Sequence, residues 1–238
     1  MAFFITSSIF KTHTVPLILN IETATKNCSV SLANKGELLA VKELNDGHYS
    51  HSENLHVFIE DVLKSAKRLF SDIDAIAVSK GPGSYTGLRI GVSAAKGLCF
   101  SLNKPLISIS TLASLANSIS VENDSVIIPL LDARRMEVYS AVFDSYYNQI
   151  REVKAEVIDS TSFSAFLEKG KVYFLGDGSD KCKDIIKHKN AVFSDNYFPS
   201  AKQMAKLSYA KYKKNDIEDV AYFEPFYLKD FLITKPKN

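Results

Sequence analysis

The chain has 238 residues, 46% of them hydrophobic and 24% charged, a composition that excludes a disordered or fibrous protein and allows one large domain or two of about 100 to 150 residues. Its 29 Lys and Arg against 27 Asp and Glu leave a net charge of +2, too little to imply a nucleic-acid or membrane partner from charge alone. Cys28, Cys99 and Cys182 lie far apart without CxxC spacing, which fits free thiols in a reducing, cytoplasmic setting, and no apolar run reaches the roughly 18 residues of a membrane helix.

Residues 1–16 lack the basic start and cleavage pattern of a secretory signal and are read as an N-terminal extension. A short apolar strand over 17–22 follows. The alternating "CSVSLAN" (28–34), a turn at Gly36 and "ELLAVKEL" complete a strand meander. From His51 to Phe70, Leu55, Phe58, Ile59, Val62, Leu63, Ala66 and Leu69 recur at helical spacing. "IDAIAVS" (73–79) reads as a strand covered on both faces. A glycine loop, a helix to about Leu102, the strand "PLISIS" and a helix from Thr111 come next.

The pattern then restarts. Strands are expected over 125–132, 136–144 and 151–159, a short helix at "SFSAFLE", a strand at "KVYFLGD", a helix over "GSDKCKDIIKH" and a last helix over "PSAKQMAKLSYAKYKK". Two three-strand meanders, each followed by helices and strands, predict a duplicated α/β fold. Its first half spans 17–120 and its second 121–238, divided in the polar "NSISVEND".

The stretch "VSKGPGSYTGLRIGVSAAKGL" (78–98) has the strand, glycine loop and helix of many phosphate sites. It lacks the GxxxxGK[ST] of a P-loop, and Gly81, Gly83 and Gly87 give GxGxxxG rather than a dinucleotide fingerprint. Gly87, Gly91 and Ala95 recur every four residues, a face almost without side chains that fits close backbone packing; an anion at the helix N-terminus is the competing reading. In "DARRM" (132–136), Arg134 and Arg135 suit phosphate oxygens. The favoured reading is that they ion-pair with a nearby carboxylate such as Asp132 or Glu137 and prop the second half against the first. The lysines that thicken between Lys202 and Lys214 are a polyanion-binding face or a solvated helix surface.

"LILNIETATKNCSVSL", "HSENL", "DAIAVSKGPGSYTGLRIGVSAAKGL", "PLISISTLASLA", "LLDARRMEVYSAVF" and "PFYLK" together resemble the TsaB (YeaZ) family of tRNA threonylcarbamoyladenosine biosynthesis proteins. The resemblance implies an actin-like (ASKHA, ribonuclease H-like) fold of two α/β halves. It also implies a bacterial complex in which a related subunit, TsaD, transfers a threonylcarbamoyl group to N6 of the adenosine beside the anticodon, assisted by the ATPase TsaE.

Against the catalytic sibling, the metal-binding HxxxH falls on Thr111 and Leu115, and Leu115 cannot ligate a metal. His51 and His56 are five apart and diverge on a helix; His48, His51 and Glu53 gather only if the helix starts later, and His51 is otherwise expected as a partly exposed helix-start residue. The turns after the first strand of each half, Glu22–Asn27 and Asp132–Met136, contain no glycine to bring backbone N–H groups to a phosphate. The expectation is therefore a non-catalytic scaffold subunit without a catalytic residue, metal or cofactor of its own, ATP or ADP entering at most at the interface with TsaD. Its partner face is expected at His51, Leu55, Phe58, Ile59, Val62, Gly87, Gly91 and Ala95, with a homodimer through the same surface when alone and tRNA met mainly through the complex. Gly81, Gly83, Asp132, Arg134 and Arg135 are expected as structural motif residues. The alternative is a stand-alone actin-fold ATPase, kinase or metallopeptidase.

Overall fold

A computed structural model describes residues 15–47 and 50–229; His48 and nearly all of the N-terminal extension lie outside the described residues. The first sheet is built from β1 (Leu17–Glu22), β2 (Cys28–Asn34), β3 (Glu37–Leu44), β4 (Ala75–Gly81) and β5 (Leu106–Ser110) in the order β3-β2-β1-β4-β5. The second, from β6 (Val126–Asp132), β7 (Glu137–Asp144), β8 (Gln149–Val157), β9 (Val172–Leu175) and β10 (Ala191–Ser194), runs β8-β7-β6-β9-β10. In each, the first three strands pair antiparallel and the last two join parallel to the first. This is the duplicated α/β arrangement that the restart of the pattern predicts.

The helices are α1 (His51–Ser65), α2 (Tyr85–Leu102), α3 (Thr111–Ala116), α4 (Ser164–Leu167) and α5 (Ala201–Lys213). All of β1 is buried because the first sheet is covered on both faces. Leu17, Leu19 and Ile21 enter the core under α1 and α2, whereas Ile18 turns to the other face with Ala75, Ala77, Ile107 and Ile109, against Ala201 and Met204 of α5. The helix that ends the second half thus covers the first sheet. Reciprocally, Leu112, Leu115 and Ala116 of α3 pack with Ile127, Leu131, Ala141, Phe143 and Leu175 of the second sheet.

Two expected elements differ and one strand is additional. α1 stops at Ser65 rather than Phe70, because Lys67 takes the left-handed conformation (φ 53°) and the Arg68 N–H turns back to Leu63 O; Leu69 is left 70% exposed. The helix expected over 178–188 is a 3-10 turn, Asp180–Cys182, followed by looser turns. Cys182 and Ile186 still reach the core, but so short a segment offers too few hydrogen bonds to offset nucleation. β10 was not expected: its four residues are all half-buried and carry no alternation.

Candidate functional site

The turn that follows β1 holds the densest polar chemistry of the first half. Glu22, at the end of β1, is fully buried, and its Oε1 accepts from the Ala24 N–H and the Ser79 hydroxyl, both at 2.7 Å. Its Oε2 is buried with no hydrogen-bond partner among the described residues. Burial raises this carboxyl to about 7 against the hydrogen bonds that lower it. The Thr23 hydroxyl donates to Gly87 O at 2.7 Å, and Ala24 O accepts from the Ser84 N–H at 2.7 Å. His51, expected half-exposed, is buried at 1% exposure with Nε2 2.7 Å from Thr25 O. A carbonyl only accepts, so Nε2 carries the proton; burial lowers this imidazole below its usual range.

The glycines of 81–91 are packing positions of this turn. A Cβ on Gly83 would overlap Ala24 O, on Gly87 the Thr23 carbonyl oxygen, and on Gly91 Thr23 Oγ1. Gly81 (φ 110°) lies against the carbonyl of Phe226, whose N–H donates to Lys80 O at 2.7 Å. The second half repeats the device. Gly176 (φ 106°) follows β9 as Gly81 ends β4; a Cβ there would overlap Leu130 O, and one on Gly178 would lie 2.8 Å from Leu131 C. In both halves glycines beyond the fourth strand bring its loop onto the backbone end of the first.

The turn after β6 differs from the expectation. Arg134 and Arg135 are exposed, both with positive φ (71° and 52°), and neither forms an ion pair among the described residues. Lys181 takes Asp132 and also donates to the carbonyls of Arg135 (2.8 Å) and Glu137 (2.6 Å), and Lys229 takes the Glu137 carboxylate. Asp132 Oδ1 also accepts from the Arg134 N–H at 3.1 Å, and Asp177 from the Asp132 N–H at 3.0 Å. Lysines rather than arginines therefore bind this turn together, and the arginines do not prop one half on the other.

Among the eight residues expected at a partner face, His51, Leu55, Ile59, Val62, Gly87, Gly91 and Ala95 are buried in the chain, and Phe58 is half-buried. Their apolar stripe meets the chain's own sheet and turn, the nearest apolar surface. The outer side of α1 and α2 carries Val57 (54% exposed), Phe100 (86%) and the half-buried Phe58, Ile90, Ala94 and Leu98. Thr111 and Leu115 are fully buried, and among the described residues no three His, Cys, Asp or Glu are grouped to hold a metal. No helix among the described residues is long and apolar enough to cross a membrane. Sequence reasoning missed Thr23 and Lys181, since a single threonine or lysine has no pattern; what could have pointed to Thr23 is the glycine face itself, which requires something to pack on it.

The profile of the family described as "TsaD: tRNA N6-adenosine threonylcarbamoyltransferase" matches residues 46–235. The chain is 30% identical to the tRNA threonylcarbamoyladenosine biosynthesis protein TsaB of Escherichia coli, over 90% of this chain and 94% of that one. It is 40% identical to the tRNA N6-adenosine threonylcarbamoyltransferase of Staphylococcus epidermidis, but over only 41% of this chain and 33% of the other. The solved structure of YeaZ from Pseudomonas aeruginosa superposes with a TM-score of 0.78 at 24% identity, covering 90% of this chain and 100% of that one, which shows a shared fold.

Proposed function

Because the chain belongs to the TsaB (YeaZ) family, whose members take part in threonylcarbamoyladenosine modification of tRNA, we propose that it acts as a non-catalytic subunit that binds and activates the transferase TsaD, in the cytoplasm and with TsaE as a further partner. The observation that carries the reading is the filled turn after β1. A phosphate-binding turn offers free backbone N–H groups to an anion; here the Ala24 N–H is held by Glu22, and Gly83, Gly87 and Gly91 close over Thr23 and Ala24. The buried Glu22 carboxyl beneath the turn, when ionised, repels a phosphate. The extent of the likeness supports the same reading, since it spans 94% of the E. coli TsaB chain but 33% of the transferase.

The partner face is the outer side of α1 and α2, where Val57, Phe58, Ile90, Ala94, Leu98 and Phe100 present apolar surface. A homodimer of the isolated chain uses the same face. Reconstitution of the modification with each component omitted in turn tests this. Threonylcarbamoyladenosine should form only when chain, transferase and ATPase are all present, and the chain should co-elute with the transferase. Phe100→Glu with Val57→Glu should abolish co-elution while the monomer stays folded. Turnover by the isolated chain, or full modification without it, overturns the proposal.

A further inference from the structure

The lysine-rich stretch that the sequence singled out forms one surface with a residue far away in the chain. On α5 the exposed positions Lys202, Lys206 and Lys213 follow one another at three to four residues or their sum, with half-buried Tyr209 between the last two and Lys214 just beyond. Gly36, in the turn between β2 and β3 (φ 80°), sits on this helix: a Cβ there would lie 3.2 Å from Lys206 Cα and 3.5 Å from Tyr209 Cβ. The missing side chain brings onto the helix backbone the turn that also carries exposed Lys35.

Two of the acids that flank this surface are already taken. Glu43 pairs with Lys202 at 3.0 Å and Asp216 with Lys211 at 3.2 Å. Among the described residues Lys35, Lys206, Lys213 and Lys214 have no carboxylate within ion-pair distance; exposed Glu37 is the acid nearest to Lys35 in sequence, and Lys213 lies over the Tyr209 ring at 4.9 Å. The helix macrodipole accounts for cations in the last turn of α5, at Lys213 and Lys214. It accounts for neither Lys206, two turns earlier, nor Lys35, on another element. A chain of net charge +2 thus carries, on α5 and the turn packed against it, four lysines without an ion-pair partner among the described residues, one of them over the Tyr209 ring.

We infer that Lys35, Lys206, Lys213 and Lys214 form a docking face for the phosphate backbone of RNA, which, resting on the function proposed above, is the tRNA brought to the complex. Ammonium groups on flexible stems suit phosphates as point charges and carry no sequence preference. Lys206 and Lys213 stand about 10 Å apart along the helix axis, so that more than one phosphate of a strand can be met at once. The face would position tRNA without touching the modified base.

The test compares the complete complex carrying the wild-type chain with one carrying Lys35→Asn, Lys206→Ala, Lys213→Ala and Lys214→Ala together; asparagine suits the left-handed backbone of Lys35 (φ 52°). Unmodified tRNA is titrated across about 50 to 200 mM KCl. The variant should bind about tenfold more weakly, with the slope of log affinity against log salt reduced by about 2 to 3, and should raise KM for tRNA without lowering kcat. The isolated chain is titrated in parallel, so that the two readings fail separately. A wild-type chain that does not join the complex defeats the proposed function, whereas a variant that assembles normally and binds tRNA with unchanged affinity and slope overturns this inference alone. Loss of binding to phosphatidylserine vesicles with tRNA binding intact would assign the face to a membrane and likewise overturn it.

Discussion

Gly87 and Thr23 meet backbone to backbone: the Thr23 hydroxyl donates to the Gly87 carbonyl at 2.7 Å, and the Thr23 carbonyl occupies the space where a side chain at Gly87 would begin. The contact joins the N-terminal turns of α2 to the end of β1. A second glycine of the same helix, Gly97, has nothing within 4 Å of its Cβ position. Gly87→Ala should therefore cost about 1 to 3 kcal/mol or more, because the obstacle is main chain and cannot rotate away. Gly97→Ala should stabilise by about 0.5 to 1 kcal/mol through helix propensity. Urea unfolding of both variants checks the pair; equal effects would contradict the packing.

Glu22 predicts a pH dependence. Its folded-state value, about 7, lies above the ordinary 4.5, so between these limits the folded chain binds more protons than the unfolded one. Stability then falls as pH rises from about 4.5 through about 7 and is level above. The loss is on the order of 3 kcal/mol. His51 works in the opposite sense: its imidazole is lowered in the folded state, and the stability that follows is lost as pH falls. Glu22→Gln isolates the carboxyl. The difference in melting temperature, variant minus wild type, should grow with pH across this window, and a difference that stays constant would refute the assignment.

Arg134→Ala should leave the melting temperature within about 2 °C of wild type, since the guanidinium is exposed and makes no ion pair among the described residues. Lys181→Ala should cost about 1 to 3 kcal/mol, because it removes the group that binds Asp132 and two carbonyls of the turn. Thermal melts of the two variants should separate clearly, with the lysine as the structural residue.

The fold was legible in the sequence wherever side chains alternate or recur over a long enough run: the two meanders, α2 and α5 are where they were expected, and α1 starts at His51 as expected although it ends five residues early. It was less legible where the signal depends on a distant part of the chain. The stripe of Leu55, Ile59 and Val62 announces an apolar neighbour but not which one, and these residues pack in the core of the first sheet. The arginines of 134–135 have nearby acids in sequence, yet Lys181 and Lys229 reach those acids first from other elements. The glycines of 81–91 declared close packing by spacing alone, while Thr23, the residue they pack on, carries no mark of its own.

The exchange of helices between the halves also sets an order of events during synthesis. The apolar face formed by Ile18, Ala75, Ala77, Ile107 and Ile109 is complete once β5 has emerged, but its cover, Ala201 and Met204, follows roughly 100 residues later. At about 5 to 20 residues per second, that leaves the face open for several seconds of translation. The first half is therefore the stretch most in need of a chaperone, and a chain ended before Ala201 should aggregate, whereas the full chain should unfold in a single cooperative transition.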